Sequence, residues 1–474
     1  MSTASELPSL RLDASREETL ERASSIVAEA WRSFDRPRPG QPSIDERLGE
    51  LLHSALPAEG SSAIGALEDA ARILDTSLAQ PRPRFFAFVG SSGLEIGVLG
   101  DLLASCFDVN LARYAAAATE VERQAVRWLA EFVGYPAGGG VFTSGGTVSN
   151  LTALAAARER ALPGARQHGV ATRPGAFYAS GEAHYSVQRA VELLGLGSDA
   201  LRKLPMDERH RLDPAALAEA LDRDRAGGIT PIAVVASAGT TLTGAVDPLD
   251  AVAEVCAAHG VWLHVDGAYG LPAAATRSCG PLFTGVERAD SVAIDAHKWL
   301  YLPKACSAVL VRSAGELEAA FAHEEAYMPH EEGEPHAADL TLEYSRPFRA
   351  LKLWLAFRVH GAPAFREAID RNLGQARLLA EEVRRHDDLE LALEPQLSIV
   401  PFRHLPGGDV DVDRHNLALA ESLQADGRVY LASAVIGGRA FLRPCVVNYR
   451  TTDDDVRALV EIAREIGGRL ALRR

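Results

Sequence analysis

The stretch Ser291-Val-Ala-Ile-Asp-Ala-His-Lys-Trp299 decides the fold, because a short apolar run of β type ends here in a polar turn that carries Lys298. A lysine after a strand is usually a solvated surface residue. At such a place it can also form a Schiff base with an aldehyde cofactor. The second interpretation needs partner groups elsewhere in the chain, and four other motifs supply them.

Short apolar runs alternate with helical patterns through the middle of the chain. This alternation predicts an α/β architecture, in which a mostly parallel central sheet is joined by crossover helices. The predicted strands are residues 176–179, 232–236, 261–265, 291–294 and 308–311. Because parallel strands end at one edge of the sheet, we expect the polar residues that follow these strands to lie close together.

The motif Thr143-Ser-Gly-Gly-Thr-Val-Ser-Asn150 follows the β-like pair Val141-Phe142 and opens a helical pattern. Its glycines let backbone N–H groups face an anion, and the helix N-terminus adds a partial positive charge. The hydroxyl of Thr147 can donate a further hydrogen bond. The motif predicts a phosphate cradle, although glycines at a helix N-terminus can also serve close packing alone.

Asp266 ends the apolar run in Val261-Trp-Leu-His-Val-Asp-Gly-Ala-Tyr-Gly270. In open α/β sheets ligands bind outside the carboxyl ends of the strands. A carboxylate there can hold a proton on a pyridine nitrogen, which makes the ring an electron sink. The alternative is an aspartate that caps a helix or lies in a loop.

His184 and a threonine pair follow two further strands. His184, in Gly181-Glu-Ala-His-Tyr-Ser186, can stack on a ring or exchange a proton, and its alternative is an ordinary surface or core histidine. In Ser237-Ala-Gly-Thr-Thr-Leu-Thr243, Thr240 or Thr241 can bond to a ring substituent. Five strand ends thus present a phosphate cradle, an imidazole, a hydroxyl, a carboxylate and a lysine, and together they predict a site for pyridoxal 5′-phosphate (PLP).

The composition excludes several other classes of function. The chain has 474 residues, of which 47% are apolar, and a formal net charge of −15, which argues against nucleic-acid or anionic membrane partners. The N-terminus lacks the pattern of a signal peptide, and no apolar run approaches the ~20 residues that span a bilayer. Five scattered cysteines without metal-binding spacing favour a reducing cytoplasm and no metal site.

Composition shifts divide the chain into three predicted parts. Residues 1–80 form a helical N-terminal arm, residues 81–346 a large cofactor-binding domain, and residues 347–474 a smaller C-terminal α/β domain with strands at 397–402 and 440–442. Within the large domain, residues 321–344 are acidic and histidine-bearing with little periodicity. We interpret them as a mobile loop.

The motifs around Thr147, His184, Asp266 and Lys298 occur in the order and spacing of the group II pyridoxal-phosphate-dependent decarboxylases, which include aromatic L-amino-acid, glutamate and cysteine-sulfinate decarboxylases. The chain resembles this family from about residue 81 to residue 450. The resemblance implies fold type I, PLP as the cofactor, and decarboxylation of a small amino-acid substrate to an amine and carbon dioxide.

The resemblance also implies individual roles. Lys298 would form the Schiff base with the cofactor, and Asp266 would pair with its pyridine nitrogen. The remaining implied cofactor contacts are Gly146, Thr147 and His297 at the phosphate, His184 and Ala268 on the two faces of the ring, and Thr241 beside the ring oxygen.

Tyr327, in Glu324-Glu-Ala-Tyr-Met-Pro-His330, matches the family's mobile-loop tyrosine that protonates the substrate carbon after carbon dioxide leaves. The implied catalytic residues are therefore Lys298, His184, Asp266 and Tyr327. In the family this loop reaches the active site of the neighbouring subunit. The resemblance therefore implies a homodimer in which loop 321–344 contributes to the partner's site.

Two departures from the family bear on the site. Arg82-Pro-Arg-Phe-Phe86 stands where many members have His-Pro before the aromatic pair. Asp295 stands where the branch that acts on aromatic substrates has an asparagine, and it adds a carboxylate near the phosphate loop. The first departure concerns substrate choice and the second concerns the cofactor.

We favour an aromatic substrate. Phe88 keeps one aromatic wall in the segment that lines the side-chain pocket of relatives, whereas Val89 and Gln80 replace larger rings, which leaves a branched aliphatic substrate open. A distal carboxylate pairs best with a guanidinium group. An acidic substrate therefore also stays open, because of Arg82, Arg84 and Arg113.

Other activities are possible on the same fold. The aldehyde-forming branch typically loses the loop tyrosine or the stacking histidine, but Tyr327 and His184 are both present. An aminotransferase would need a C-terminal arginine for the substrate carboxylate, and Arg443 is available though not distinctive. Retention of Lys298 and Asp266 argues against a silent cofactor-binding protein.

Overall fold

The structure is a computed structural model that describes residues 10–38, 42–323 and 336–472. It begins with three helices, α1 (Arg16–Phe34), α2 (Glu46–Leu52) and α3 (Ala63–Asp75). The side chains of Asp45 and Ser62 accept hydrogen bonds from backbone N–H groups and so cap α2 and α3. Helix α1 packs along α3, where Arg22 pairs with Glu68.

A seven-stranded sheet forms the centre of the molecule, in the order β1-β7-β6-β5-β4-β2-β3. β7 runs antiparallel to both of its neighbours, and the other pairings are parallel. The strands are β1 (Gly139–Thr143), β2 (Gly175–Ser180), β3 (Leu201–Leu204), β4 (Thr230–Ser237), β5 (Trp262–Asp266), β6 (Ser291–Asp295) and β7 (Ser307–Val311).

Helices cover both faces of this sheet. They are α4 (Glu95–Phe107), α5 (Ala117–Val133), α6 (Gly146–Ala161), α7 (Ala165–His168), α8 (Tyr185–Leu193), α9 (Pro214–Ala226), α10 (Leu249–His259) and α11 (Gly315–Phe321). Side chains alternate between the faces with a period of two, as along β4, where Val234 and Val235 belong to different cores. Strands buried on both faces are typical of α/β proteins, and the predicted fold class is confirmed.

The C-terminal part has its own small core and an antiparallel sheet of order β10-β11-β9-β8. Its elements are α12 (Ala350–Arg384), β8 (Leu389–Leu391), β9 (Phe402–His404), α13 (Val412–Asp426), β10 (Ala432–Ile436), β11 (Arg439–Arg443) and α14 (Asp453–Leu472). Helix α12 is kinked at Gly361, whose φ of 73° interrupts the helical backbone. None of the helices in the described ranges is both long and apolar enough to cross a membrane.

The predicted strands of the large sheet lie where the sequence pattern puts them, but β3 of that sheet and one strand predicted in the C-terminal part differ. β3 was not predicted, because it is short and carries exposed polar residues. Of the strand predicted at 397–402, the structure keeps Phe402, the first residue of β9, and a single antiparallel bridge between Ile399 and Cys445. The N–H of Ser398 bonds to the Tyr269 hydroxyl and Pro401 has no N–H, which prevents a longer ladder in this buried segment.

One buried ion pair joins the segment before α12 to the large sheet. The guanidinium group of Arg346 is fully buried and donates through Nη2 to Glu122 Oε1 at 2.8 Å. Through Nη1 it donates to the carbonyl oxygen of Phe142 at 2.8 Å. Removing one partner of such a pair leaves the other charge buried without compensation.

We therefore expect Arg346→Met to lower the free energy of unfolding by about 3–5 kcal/mol, measured by chemical denaturation. The matched control is Arg469→Met, because the pair between Arg469 and Glu465 lies on the surface of α14. That control should change the free energy by less than about 0.5 kcal/mol. A loss below about 1 kcal/mol in Arg346→Met would contradict the expected importance of the pair.

Candidate active site

A cavity of about 340 Å³ opens at the edge of the sheet where β1, β2, β4, β5 and β6 end. These strands run in the same direction, so the loops that follow them meet there. The residues predicted to contact the cofactor all line this cavity: Gly146, Thr147, His184, Thr241, Asp266, Ala268, His297 and Lys298. Tyr327 and residues 324–335 of the predicted loop lie outside the described residues.

Lys298 lies in the turn after β6, where its Nζ is 2.9 Å from Oδ2 of Asp295. Burial alone would lower the pKa of Lys298, but the carboxylates of Asp295 and Asp266 raise it above its ordinary value. Asp295 is held in turn by the hydroxyl of Ser307, its register partner on β7. The ammonium group of Lys298, whose side chain is half-buried, is thus paired with a buried carboxylate at the strand end.

The start of α6 lies directly against the loops after β5 and β6. A Cβ atom on Gly146 would be 2.9 Å from Asp295 Oδ2 and 3.1 Å from the Ala268 methyl group, so only glycine fits without a shift. The backbone N–H groups of the first helical turn have no partner within a helix. Together with Thr147 they form a concave surface suited to an anion.

Asp266 is oriented by a buried hydrogen-bond network. Its Oδ2 accepts from Asn150 Nδ2 at 2.9 Å, and its Oδ1 accepts from the backbone N–H of Ala268 at 3.2 Å. The side-chain oxygen of Asn150 accepts from His264 Nε2 at 2.9 Å. Asn150 therefore aligns the carboxylate from α6 while His264 aligns Asn150 from β5.

His264 continues this network into the sheet and is completely buried. Because Nε2 donates to Asn150, its Nδ1 accepts a hydrogen bond from the hydroxyl of Ser291 at 2.8 Å. Burial lowers the pKa of His264 to about 4, although the negative charge of Asp266 acts in the opposite direction. The imidazole is therefore neutral at physiological pH.

His184 begins α8 and faces the cavity. Its Nδ1 accepts from the backbone N–H of Ser186 and lies 2.8 Å from the Ser186 hydroxyl, which places the proton of a neutral ring on Nε2. Burial is the largest influence on the pKa of His184 and lowers it, with Asp266 opposing. A neutral imidazole with a fixed orientation can lie flat against an aromatic ring.

Of the remaining predicted residues, His297 is held by a backbone contact, and Thr241 is exposed to the cavity. His297 lies 2.9 Å from the carbonyl oxygen of Cys306 through Nδ1, and burial lowers its pKa. Thr240 bonds to Thr243 in its own turn and donates to Glu182, which follows β2. Thr241 is exposed to the cavity, so it is the threonine of the pair that is free to bond to a ligand.

Several cavity residues were not identified from the sequence. Asn150 was missed because its hydrogen-bond partners Ser186, Asp266 and His264 are distant in the sequence, so no local pattern indicates it. Lys304 brings a second lysine into the cavity, where its Nζ donates to Gln80 Oε1 at 2.6 Å and burial lowers its pKa. The pattern of a lysine shortly after a strand could have indicated Lys304, but Lys298 matched it better.

The arginines considered for an acidic substrate do not line the cavity. Arg82 donates to the carbonyl oxygens of Ser33 and Arg36, and Arg84 donates to Asp455 at 2.8 Å. Arg443, which was considered for an aminotransferase, does not line the cavity either. It is buried beside the turn of Thr241, and its Nη2 has no hydrogen-bond partner among the described residues.

These groups form a site of the kind that PLP-dependent enzymes use, and comparison with known proteins identifies the family. The model of the pyridoxal-dependent decarboxylase conserved domain matches residues 46–405. The chain therefore belongs to the pyridoxal-dependent decarboxylase family. It is a PLP-dependent amino-acid decarboxylase of fold type I, and the resemblance found in the sequence is confirmed.

Individual relatives cover most of the chain. An aromatic-L-amino-acid decarboxylase of Bacillus atrophaeus is 34% identical, over 89% of this chain and 89% of its own length. A cysteine sulfinic acid decarboxylase of Homo sapiens is 32% identical, over 89% of this chain and 90% of its own. A solved structure of Oryza sativa TDC with PLP and tryptamine has a TM-score of 0.91 and 28% identity, covering 98% of this chain and 100% of that one.

The cavity fits the cofactor of the family. Gly146 provides a concave surface for a phosphate that a larger residue would fill, and Asp266 presents a carboxylate held by Asn150. Lys298 lies in the same cavity as both. These residues thus match three groups of PLP, namely its phosphate, its basic ring nitrogen and its aldehyde.

The buried network predicts a pH-dependent stability. The pKa of His264 is lower in the folded protein than the ordinary value of 6.5, so its contribution to stability is present above pH 6.5 and is lost as the pH falls toward 4. Between pH 7 and pH 4, we expect the free energy of unfolding to fall by about 2–3 kcal/mol more in the parent protein than in His264→Gln.

Chemical denaturation across this pH range measures both profiles. His53→Gln, at an exposed histidine, is the control for removing an imidazole, and its profile should overlie that of the parent. Parallel profiles for the parent and His264→Gln would show that protonation of His264 does not limit stability.

Proposed function

We propose that this decarboxylase acts on an L-amino acid with an aromatic side chain, and that Lys298 attaches the cofactor. The observation that carries the proposal is the convergence of Lys298, Asp266 and the start of α6 on one cavity. Each group alone has ordinary structural explanations. Their meeting at the carboxyl ends of parallel strands is what a PLP site requires.

We propose the following roles for the residues around the cofactor. Asp266 keeps a proton on the ring nitrogen, and Asn150 keeps Asp266 in place. His184 lies against one face of the ring, with Ala268 on the other. The remaining contacts are Gly146, Thr147 and His297 at the phosphate and Thr241 at the ring oxygen.

When bound, PLP supplies a protonated ring that accepts the electrons of the breaking carbon–carbon bond. The chain's own residues direct this chemistry. Asp266 stabilises the positive charge on the ring nitrogen with a carboxylate that is oriented before the reaction. Tyr327 is the proposed proton donor to the substrate carbon, and Lys298 is the residue whose nitrogen would hold the cofactor.

The preference for an aromatic substrate has two supports. The arginines Arg82 and Arg84, which could have bound a distal carboxylate, pair with residues outside the cavity. The relative from Bacillus atrophaeus is named for aromatic L-amino acids, and the rice structure contains tryptamine.

One observation favours an acidic substrate as the second candidate. Lys304 lines the cavity, and its ammonium group could pair with a side-chain carboxylate. The human relative is named for cysteine sulfinic acid. This candidate and the aromatic one differ in the charge of the substrate side chain, which a direct assay separates.

We further propose a homodimer in which loop 321–344 reaches the partner's site. In its support, α4 exposes an apolar stripe of Leu99, Leu102, Leu103 and Phe107, with exposed fractions of 40–76%.

We propose that the chain divides into an N-terminal arm of residues 1–80, a large domain of residues 81–346 and a small domain of residues 347–474. All five cysteines are free thiols, which supports the proposed cytoplasmic location.

Borohydride reduction of the PLP-loaded protein should place a pyridoxyl group on Lys298, because this lysine lies beside Asp295 at the strand end. Peptide mass mapping identifies the modified residue. Lys304 is the matched alternative, since it lines the same cavity. Lys304→Ala should keep the adduct and Lys298→Ala should lose it, whereas an adduct on Lys304 or none at all would refute the assignment.

A substrate panel tests the side-chain preference. The panel contains phenylalanine, tyrosine, tryptophan, glutamate, aspartate, cysteine sulfinate, leucine and valine, and the released amine and carbon dioxide are measured. We expect kcat/KM for the best aromatic substrate to exceed that of any acidic or aliphatic one by about tenfold or more. Lys298→Ala is the inactive control. A higher value for an acidic or aliphatic amino acid would overturn the aromatic preference.

A further inference from the structure

Asp295 places a carboxylate where the cofactor phosphate is proposed to bind. Its side chain is 3% exposed, and Oδ2 would be 2.9 Å from a Cβ on Gly146. The carboxylate therefore lies against the first turn of α6 with no space between them. A phosphate bound at this turn would lie beside Asp295, and two adjacent anions in a buried site repel each other strongly.

The positive charge available to Asp295 is small. Burial alone would raise the pKa of Asp295, but the neighbouring charges of Lys298 and His297 hold it below its ordinary value. The Nε2 of His297 is 3.8 Å away, and burial lowers the pKa of that imidazole. Lys298 thus provides the main balancing charge, and one ammonium group cannot neutralise both a carboxylate and a phosphate dianion.

The groups around Asp295 come from every element packed against it. Ser307 on β7 donates to Oδ1, and Gly146 on α6 contributes backbone. Asp266 at the end of β5 adds a second negative charge to the cavity, which Asn150 holds through a neutral amide. The titratable or charged groups that interact electrostatically with Asp295 or with the neighbours Lys298, His297 and His184 include Lys304, Cys306, Cys445, Arg189 and Asp266.

We propose that Asp295 takes up a proton from solution when the phosphate group of the cofactor binds, so that a neutral carboxyl group donates a hydrogen bond to a phosphate oxygen. This inference rests on the phosphate position proposed above. The carboxylate is ionised before binding and protonated after it. Affinity for the cofactor therefore falls as the pH rises, by up to about tenfold per pH unit.

The residue thereby makes retention of the cofactor sensitive to pH. The asparagine that stands here in the branch of the family acting on aromatic substrates can donate from its amide without a proton. Asp295→Asn consequently removes the repulsion and the proton requirement together while keeping the shape of the side chain. A ligand that has no aldehyde forms no Schiff base with Lys298 in either protein, so covalent attachment does not enter the comparison.

Titration calorimetry of the full-length chain, freed of cofactor, with pyridoxine 5′-phosphate at pH 6.5, 7.5 and 8.5 tests this proposal. We expect Asp295→Asn to bind this phosphate ester about tenfold more tightly than the parent at pH 8.5, with the difference narrowing toward pH 6.5. Pyridoxine, which lacks the phosphate, should bind equally to both. Asp224→Asn, which removes a carboxylate paired with Arg202 far from the cavity, should behave as the parent does.

Equal or weaker binding by Asp295→Asn at pH 8.5, or a constant ratio across the pH range, would overturn the role of Asp295 while leaving the proposed site intact. Absence of binding to the parent chain would instead refute the site itself. If Asp295→Asn does not fold, Ser307→Ala provides the test, because it removes a donor to the carboxylate and raises its affinity for a proton. The pH at which affinity falls should then move upward, and an unchanged profile would contradict the proposal.

Discussion

The contact between α6 and the carboxyl edge of the sheet is the constraint on which the site depends. Gly146 allows the helix to begin directly against Asp295 and Ala268. Behind this point α6 is buried along most of its length and rich in alanine, so it lies close to β4, β5, β6 and β7. A larger residue at position 146 would move the helix away, and with it Asn150.

Close packing of α6 makes a polar network possible inside an otherwise apolar sheet. A continuous series of hydrogen bonds runs from the indole of Trp262 through Ser291, His264 and Asn150 to Asp266. Asn150 also donates to Ser186, which bonds to His184. Two cavity side chains, Asp266 at the end of β5 and His184 at the N-cap of α8, are thus held by the same asparagine. Buried polar groups that are fully satisfied in this way hold a single arrangement.

The sequence alone predicted those features of the fold and of the cavity that leave a pattern in neighbouring residues. The alternation of apolar runs and helices predicted the fold, and residues after strand ends predicted the lining of the cavity, because chain direction brings such ends together. Asn150 and His264 were not identified, since their importance arises from contacts between α6 and β5. The error at residues 397–402 has a similar origin, because the hydroxyl of Tyr269 takes the backbone donor of Ser398.

The sequence was least informative about the substrate. Phe88, expected in a pocket wall, is 53% exposed, has a left-handed backbone with φ of 59°, and does not line the cavity. Gln80, expected to line the same pocket, bonds to Lys304 instead. The side chains that contact a substrate come from segments that are far apart in the sequence. A motif that locates the cofactor-binding residues therefore does not locate them.

The β6–β7 hairpin has a consequence for how this enzyme can evolve or be redesigned. Asp295 pairs in register with Ser307, and both the backbone N–H and the ring of His297 bond to the carbonyl oxygen of Cys306. Hydrogen bonds therefore close the base of the turn between β6 and β7, which carries Lys298. Trp299, Leu300 and Leu302 inside the turn are completely buried. An inserted residue would therefore have to disturb this packing, displace Lys298 or shift the pairing of β7, and a shift by one residue would exchange the two faces of that strand. The length of the turn is thus under a stronger constraint than that of an exposed loop.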